Sequence, residues 1–237
     1  MSVASLQAVV LDFDGVIADT EPLHLKAFQE TLGPRGVALT RADYYARYLG
    51  YDDGDVFRAL GREGSLAWSE EDVARLVRDK AGRYRARLVA SPPLFPGVAD
   101  RLREWSSSVP LAIASGAFRE EIEIVLEGGG LRELMSAIVA AGETPRGKPA
   151  PDPFRRALDL LGAAIAARGG AMPDPARTVA VEDSTPGIAA AHAAGMKVVA
   201  LTTSHPPDRL TGADLVARSL SDLTLEAFER VAAVGRE

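Results

Sequence analysis

The stretch QAVVLDFDG, residues 7–15, decides the fold of this chain. Its apolar run from Gln7 to Phe13 is short and is bounded by Asp14-Gly15, which is typical of a strand buried on both faces of a parallel sheet. Two acidic residues, Asp12 and Asp14, lie at the carboxyl end of this predicted strand. Ligands of open parallel sheets bind at that end of the strands, so the stretch also marks a candidate site.

Four further apolar runs follow along the chain, and helical patterns lie between most of them. The runs cover residues 110–114, 137–140, 178–181 and 197–201, and the helical patterns cover residues 98–105, 120–126, 153–166 and 188–194. Strands that alternate with helices predict right-handed crossovers between parallel strands. The predicted fold class is therefore α/β, with a doubly wound parallel-sheet (Rossmann-like) core.

One part of the chain departs from this alternation, because residues 21–90 contain no strand-like run. Its clearest helical pattern covers residues 69–88, and Ser69 with Asp72 resembles a capping box. The proline-rich residues 91–97 cannot continue this helix. The predicted domains are a Rossmann-like catalytic core and an inserted all-helical cap domain, at residues 1–16 with 93–237 and at residues 17–92 respectively.

The strand ends and the loops after them carry residue types that suit phosphoryl chemistry. These residues are Asp12, Asp14, Ser115, Gly116, Lys148, Glu182 and Asp183. Carboxylates brought together repel one another unless a cation lies among them, and oxygen ligands favour Mg²⁺ over Zn²⁺. A Mg²⁺ ion, a lysine and a hydroxyl beside backbone N–H groups are suited to bind a phosphoryl group. One carboxylate could then attack phosphorus, and a second could transfer a proton to the leaving oxygen.

The stretch DFDGVIADTE, residues 12–21, resembles the opening motif of the haloacid dehalogenase-like (HAD) hydrolase superfamily. Within it, the stretch is most similar to the β-phosphoglucomutase-like phosphatase branch. Ser115-Gly116, Lys148 and EDSTPGI at 182–188 match the other three signatures of that superfamily in the same order. The likeness covers nearly the whole chain, including a helical cap after the first strand. It implies a Mg²⁺-dependent HAD-like phosphatase that forms an aspartyl-phosphate intermediate.

The resemblance implies different roles for the two acids of the opening motif. Asp12 would be the nucleophile and a metal ligand. Asp14 would act as general acid and then as base for the attacking water, with its main-chain carbonyl also on the metal. Asp14 argues against dehalogenation, because dehalogenases of the superfamily need neither this acid nor a metal.

The resemblance also implies roles for the residues at the other strand ends. Asp183 would be a metal ligand, and Glu182 would lie just outside the ligands or contact the metal through water. Ser115 and the N–H of Gly116 would bind phosphoryl oxygens, and Lys148 would neutralise charge there.

The cap stretch LGYDDGD, residues 49–55, bears on the type of reaction. A mutase must hold a second phosphate while its intermediate reorients, and its cap loop supplies basic residues, whereas this stretch is acidic. Arg119 offers a substitute charge, but Ala117 and Phe118 before it offer no donor side chain. We therefore expect a phosphatase whose substrate is a small phosphorylated metabolite, with hydroxyls or an amine. A phosphosugar mutase is the alternative.

A more distant alternative is a non-enzymatic module that receives or binds a phosphoryl group. Phosphorelay receiver domains also place strand-end acids, a hydroxyl and a lysine around Mg²⁺ on a similar sheet. They need neither a helical insert of this size nor an acid beside the nucleophile, so domain anatomy favours the enzyme.

His24 and a group of tyrosines belong to the predicted cap. His24 lies either near the general acid, as a histidine often does in the mutase-like branch, or on a helix face that touches solvent. The tyrosines are interpreted as cap core in preference to a substrate-binding box. They are Tyr44, Tyr45, Tyr48 and Tyr51.

Composition excludes several functional classes. The chain has no cysteine, which excludes disulfides, zinc–thiolate sites and thiol nucleophiles. Its 27 basic and 33 acidic residues give a net charge of −6, which argues against a nucleic-acid surface. The first apolar run is too short to span a bilayer and no signal-like segment precedes it, so we expect a cytoplasmic protein without a membrane partner. No sequence pattern predicts the oligomeric state.

Overall fold

The computed structural model of the chain describes residues 6–49, 51–64 and 66–234. These residues form two compact units. The helical unit is Thr20–Ser91, and the core unit comprises the residues up to Asp19 together with those from Pro92 onward. The predicted domain boundaries lie at 16/17 and 92/93. Residues 1–5 and 235–237 of the predicted core, and Gly50 of the acidic cap stretch, lie outside the described residues.

The core unit is built on a six-stranded sheet in which every neighbouring pair of strands is parallel. The strands are β1 (Ala8–Leu11), β2 (Leu111–Ala114), β3 (Met135–Val139), β4 (Thr178–Glu182), β5 (Lys197–Leu201) and β6 (Leu215–Ala217). Their order in the sheet is β3-β2-β1-β4-β5-β6. This arrangement confirms the predicted fold class and places β1 between β2 and β4. Five of the six strands were predicted, and β6 was not.

The central strands are mostly apolar because both faces of the sheet are covered. Every residue of β1, β2, β4 and β5 is buried. On one face, Val10 and Val198 belong to the same apolar cluster as Phe154 and Leu158. Burying a side chain of this size stabilises the fold by about 1.5–3 kcal/mol. The sheet therefore gives the polar residues at its carboxyl edge a rigid support.

The helical unit contains α-helices and no strand among its described residues. The helices are α1 (Glu21–Leu32), α2 (Arg41–Asp43), α3 (Asp53–Glu63) and α4 (Glu70–Ala90), and α2 continues into a π-helical segment at Tyr44–Tyr48. The predicted capping box at the start of α4 is confirmed. Ser69 Oγ accepts a hydrogen bond from the N–H of Asp72, and Asp72 Oδ2 accepts one from the N–H of Ser69.

Phe28 and Phe57 pack edge to face, with 5.2 Å between ring centroids, in an apolar cluster of the helical unit. Tyr44 and Tyr48 are buried in this cluster, which confirms the cap-core interpretation for these two residues. For Tyr51 that interpretation is wrong, because 56% of the residue is exposed.

Lys80 is a buried cation inside the helical unit, with 1% of its surface exposed. Its Nζ donates to both carboxylate oxygens of Asp53, at 2.8 and 3.0 Å, and to Nδ1 of His24 at 2.6 Å. Because an ammonium group can only donate, His24 Nδ1 accepts and the imidazole is neutral. The ring also stacks on Tyr84, with 4.0 Å between centroids. His24 is therefore half-buried, held by Lys80 and Tyr84 of the helical unit, and does not lie on a freely solvated helix face.

We expect His24 to make the stability of the helical unit sensitive to acid. Burial, followed by the charge of Lys80, lowers the pKa of His24 from 6.5 to about 3. Between these values the unfolded chain binds a proton that the folded chain does not, so the free energy of unfolding falls as the pH falls below 6.5. The loss amounts to about 2 kcal/mol at pH 5.

Urea unfolding between pH 5 and 8 tests this prediction. The fluorescence of Trp68 reports on the helical unit in a Trp105→Phe background. His24→Gln removes the titrating group and should flatten the pH dependence, whereas the matched variant His192→Gln, in the core unit, should keep it. Equal slopes in the His24→Gln variant and its parent would contradict the prediction.

Five α-helices complete the core unit within the described residues. They are α5 (Val98–Ser106), α6 (Arg119–Gly128), α7 (Asp152–Ala166), α8 (Thr185–Ala193) and α9 (Leu225–Ala233). The first four match the predicted helical patterns, and α9 was not predicted. No helix in the described part of the chain has both the length and the apolar composition that crossing a bilayer requires.

Candidate active site

A tight turn after β1 places the two acids of the opening motif. The carbonyl of Phe13 accepts hydrogen bonds from the N–H groups of Ile17 and Ala18, at 2.8 and 3.0 Å. Gly15 has a φ of +73°, and its N–H donates to the carbonyl of Ala18 at 2.9 Å. A positive φ of this kind favours glycine. The turn leaves Asp12 buried and Asp14 half-buried at the edge of the sheet.

Gly15 is required for a second reason, which is the close approach of Asp183. A Cβ atom at position 15 would lie 1.8 Å from Asp183 Oδ2 and 2.8 Å from Ser204 Oγ. Any side chain there would displace the Asp183 carboxylate. The backbone of the opening motif therefore packs directly against Asp183, the residue that follows β4.

Three carboxylates converge at the ends of the neighbouring strands β1 and β4. One oxygen from each of Asp12, Glu182 and Asp183 lies within 4.8 Å of the other two. All three residues are buried, with 8%, 0% and 5% of their surfaces exposed. Buried carboxylates at this separation are costly unless a cation lies among them, so this set fits a divalent metal ion such as Mg²⁺.

The electrostatics of the site show the same need for positive charge. Burial, followed by the charge of Asp12, raises the pKa of the Asp183 carboxyl to about 8, and a hydrogen bond from Ser204 opposes this rise. Burial also raises the pKa of Glu182 above its ordinary value. A bound cation would favour the ionised forms.

Lys148 supplies part of that positive charge from the loop after β3. Its Nζ lies 2.8 Å from Asp12 Oδ1 and also donates to Glu182 Oε1. Burial alone would lower the pKa of the ammonium group, but Asp12 and Glu182 outweigh burial and raise it. Lys148 therefore remains protonated between the carboxylates of two strands.

Glu182 is held by donors on both carboxylate oxygens. While Oε1 accepts from Lys148, Oε2 accepts from the N–H groups of Asp183 and Ser184, at 3.1 and 3.2 Å, and from Ser184 Oγ at 2.9 Å. Ser184 also caps α8 by accepting from the N–H of Gly187 at 3.2 Å. A direct metal bond from Glu182 would compete with these donors, which favours an orienting role.

Replacing Gly187 with alanine should damage this arrangement, although alanine normally favours a helix. The added Cβ would lie 1.9 Å from the carboxylate carbon of Glu182, so the carboxylate would have to leave its donors. We expect a loss of about 1–3 kcal/mol in the free energy of unfolding, together with a loss of phosphate-ester hydrolysis.

The matched control for Gly187→Ala is Gly82→Ala in α4. A Cβ at position 82 meets no atom within 4 Å, so alanine there should stabilise the chain by about 0.5–1 kcal/mol. Urea unfolding of both variants measures the contrast. A neutral or stabilising Gly187→Ala would contradict the crowding at Glu182.

Ser115 and Gly116 lie after β2, on the other side of β1 from β4. Ser115 is buried, its N–H donates to the carbonyl of Val139 at 2.9 Å, and its Oγ accepts from the N–H of Ala117 at 3.0 Å. The serine hydroxyl hydrogen thus points away from Ala117 and can be donated. Gly116 is exposed, and a Cβ there would meet no atom within 4 Å.

Thr203 and Ser204 were missed by the sequence analysis. Thr203 Oγ1 donates to the carbonyl of Gly15 at 2.5 Å, and Ser204 Oγ donates to Asp183 Oδ2. Both residues lie in the loop after β5, a strand that the sequence did predict. The rule that selected the other strand ends would therefore have selected them too. Arg119, in contrast, has partners within the core unit. It donates to Glu143 at 2.5 and 2.7 Å and to the carbonyl of Ile138 at 2.8 Å.

Comparison with known proteins identifies related enzymes. Residues 9–201 match the family profile described as haloacid dehalogenase-like hydrolase. The chain is 32% identical to the fructose-1-phosphate phosphatase YqaB of Escherichia coli, over 81% of this chain and 94% of that protein. It is 27% identical to the β-phosphoglucomutase of Bacillus subtilis, over 93% of each chain.

A solved structure is also similar. It is a mutant of CbbY from Rhodobacter sphaeroides in complex with xylulose-(1,5)-bisphosphate, with a TM-score of 0.74 and 28% identity. The match covers 92% of this chain and 96% of that chain. Together with the family match over residues 9–201, these likenesses show that the chain belongs to the haloacid dehalogenase-like hydrolase family, as an enzyme of its phosphatase type.

Proposed function

We propose that this chain is a Mg²⁺-dependent phosphatase that hydrolyses a small phosphorylated metabolite, of the sugar-phosphate kind, through an aspartyl-phosphate intermediate. One observation carries the proposal. Three buried carboxylates from two separate strands, Asp12, Glu182 and Asp183, converge within 4.8 Å, and Lys148 contacts two of them. Lys148 supplies one positive charge for three carboxylates, so a further cation would be needed to balance all three in their ionised forms.

The donor set at the turn and at the end of β4 suits Mg²⁺. We propose that a side-chain oxygen of Asp12, the main-chain carbonyl of Asp14 and the carboxylate of Asp183 would hold the ion. When bound, Mg²⁺ would neutralise negative charge on the phosphoryl oxygens. Glu182 would orient Lys148 and the loop that carries Asp183, because both of its oxygens already accept hydrogen bonds.

In the first step, a carboxylate oxygen of Asp12 attacks phosphorus, and the bond between phosphorus and the leaving oxygen breaks. Asp14 donates a proton to that oxygen, so the dephosphorylated product leaves as a neutral alcohol. Ser115, the N–H of Gly116 and Lys148 bind the phosphoryl oxygens and balance their charge. These groups lie at the ends of adjacent strands or in the loops after them, so the sheet orients them before the substrate binds.

In the second step, water attacks the phosphorus of the aspartyl-phosphate. Asp14, now ionised, takes a proton from this water, and the bond between phosphorus and the Asp12 oxygen breaks. Inorganic phosphate is released, and both acids return to their starting states.

Hydrolysis is favoured over mutase chemistry because two cations that could bind a second phosphate, Arg119 and Lys80, are already paired with acids. Arg119, the candidate substitute for a second phosphate-binding cation, forms an ion pair with Glu143. Lys80 is paired with Asp53 inside the helical unit. The name of YqaB as a fructose-1-phosphate phosphatase supports the same choice, whereas the β-phosphoglucomutase relative keeps the mutase as the alternative.

The acidic cap stretch carries less information on the substrate than its sequence indicates. Asp52 caps α3 by accepting from the N–H of Asp55 at 2.8 Å, and Asp55 pairs with Arg58 at 3.0 Å. Asp53 binds Lys80. These aspartates have structural partners, so they give no independent reason to expect an amine on the substrate.

A panel of phosphate esters tests the proposal. The panel contains fructose 1-phosphate, glucose 1-phosphate, a sugar bisphosphate and p-nitrophenyl phosphate, with Mg²⁺ or with excess chelator. Release of inorganic phosphate that depends on Mg²⁺ is the expected result. Interconversion of a hexose 1-phosphate faster than its hydrolysis would favour the mutase. Retention of a single phosphoryl group without turnover would favour a receiver module.

A further inference from the structure

Two hydroxyl residues extend the candidate site to the end of another strand. Thr203 and Ser204 follow β5, the neighbour of β4 on the side away from β1. Each donates a hydrogen bond to the site: Thr203 to the carbonyl of Gly15, and Ser204 to Asp183 Oδ2. The catalytic steps proposed above assign no role to either hydroxyl. Their partners, however, belong to the two segments that would hold Mg²⁺.

Ser204 acts on the buried carboxylate of Asp183. Ser204 Oγ and the Gly15 backbone flank the same oxygen, Asp183 Oδ2, because a Cβ at position 15 would lie 1.8 Å from that oxygen and 2.8 Å from Ser204 Oγ. A hydrogen bond to one carboxylate oxygen fixes the direction in which the other one points. Such outer contacts commonly determine how well a ligand residue is oriented toward its metal.

Thr203 acts on the turn that carries Asp14. The N–H of Gly15 is bound to the carbonyl of Ala18 at 2.9 Å, and the carbonyl of Gly15 accepts from Thr203 at 2.5 Å. Both peptide groups that flank Gly15 are thus held, which fixes the left-handed conformation of this residue. Because the carbonyl of Asp14 belongs to the first of these peptide groups, its direction is fixed as well.

We propose that Thr203 and Ser204 are positioning residues that set the affinity of the site for Mg²⁺. Ser204 orients the Asp183 carboxylate, and Thr203 orients the turn at Asp14 and Gly15. The proposal rests on the proposed function, because it requires that the site bind Mg²⁺. It adds two residues, from a strand end that no signature motif covers.

The first test is the variant Ser204→Ala in the full chain. Mn²⁺ serves as the probe, with the free ion counted by electron paramagnetic resonance, and MgCl₂ is the competitor. We expect both metals to bind roughly tenfold more weakly than in the wild type, as is typical when an outer contact of a ligand is lost. The kcat at saturating Mg²⁺ should change by less than about threefold, because no reacting group is removed. Ser204→Thr keeps a hydroxyl and should restore the affinity.

The second test is Thr203→Val, with Thr203→Ser as the variant that keeps the hydroxyl. Thr185→Val is the matched control, because Thr185 Oγ1 donates its hydrogen bond to the carbonyl of Arg209, in the same loop, and not to Asp183 or Gly15. Thr203→Val should weaken Mn²⁺ and Mg²⁺ binding roughly tenfold, and Thr185→Val should not. If Thr203→Val and Thr185→Val weaken metal binding equally, any hydrogen bond that holds this loop in place would serve. That result would contradict a specific positioning role for Thr203.

The remaining outcomes separate this proposal from the proposed function. A wild-type chain that binds neither metal would contradict both. A wild type that binds Mg²⁺, with Ser204→Ala and Thr203→Val within twofold of its affinity, would contradict the positioning role alone. Unfolding curves recorded without metal identify any variant that is not folded. For such a variant, Ser204→Thr or Thr203→Ser, which keep the hydroxyl, provides the test. If this substitution folds and binds metal like the wild type, the positioning role stands. If it folds but binds metal tenfold more weakly, the positioning role is contradicted.

Discussion

Replacing Asp12 with asparagine should reduce kcat for every phosphate ester by roughly 10⁴-fold or more, the scale seen when a covalent nucleophile is removed from other enzymes. An amide oxygen is a poor nucleophile and carries no negative charge. The substitution also takes away one of the two carboxylates that contact Lys148. The loss should appear in kcat, because Asp12 would form a bond that exists only after the substrate has bound.

The stability of Asp12→Asn should differ from its activity. In the absence of metal, the charge of Asp12 contributes to raising the pKa of Asp183, so its removal relieves repulsion within the cluster. We therefore expect Asp12→Asn to unfold at a urea concentration no lower than that of the wild type. The matched control is Asp100→Asn, whose side chain is 90% exposed and which should keep full activity. An Asp12→Asn variant that keeps more than a tenth of the wild-type kcat would contradict the assigned nucleophile.

Replacing Gly15 with alanine should abolish Mg²⁺ binding and reduce kcat/KM at least about 100-fold, a loss of roughly 3 kcal/mol in transition-state stabilisation. The new Cβ would occupy the space 1.8 Å from Asp183 Oδ2, so the carboxylate must swing away from its place beside Asp12. The side chain would also disfavour the φ of +73° that turns the chain after Asp14.

Gly169→Ala separates these two effects, because Gly169 has a φ of +82° and a Cβ there would meet no atom within 4 Å. Both variants should lose about 1–2 kcal/mol of stability from the left-handed conformation. Only Gly15→Ala should lose activity and metal binding. Similar activity in the two variants, measured with p-nitrophenyl phosphate and MgCl₂, would show that the close approach of Gly15 to Asp183 is not needed for activity.

Most of the fold could be predicted because buried parallel strands have an unmistakable pattern. The central strands are mostly apolar, with polar residues only at strand ends such as Thr178, Glu182 and Lys197, and each strand ends at a polar residue or a turn. The strand β6 was missed for the opposite reason. It has three residues, none of which is buried, so its sequence carries no continuous apolar run of diagnostic length. The helix α9 was also overlooked, although its apolar face includes Phe228 and Val231.

The candidate site was predictable to the extent that it follows strand ends in sequence order. Asp12, Asp183 and Lys148 do converge, as the topology of a parallel sheet requires. Contacts that depend on side-chain geometry could not be predicted. Ser204 follows a strand like many loop serines, and only the fold shows that its hydroxyl reaches Asp183.

The same limit applies to Lys80 and Asp53 in the helical unit, which are 27 positions apart and meet only when α3 packs against α4. Neither helix alone presents a signal for this pair. A lysine within an amphipathic helix is expected to face water, so its burial could be found only from the packed structure.

The insertion of the helical unit between β1 and β2 has a consequence for how the protein is made. Thr20–Ser91 is continuous in sequence, so the helical unit can fold on the ribosome while the remainder of the chain is still being synthesised. The central strand β1 cannot yet form its sheet hydrogen bonds, because its neighbours β2 and β4 come much later in the chain. The acids Asp12 and Asp183 meet only after β4 has emerged. A nascent chain that stops before residue 178 can therefore carry a folded helical unit and still have no active site.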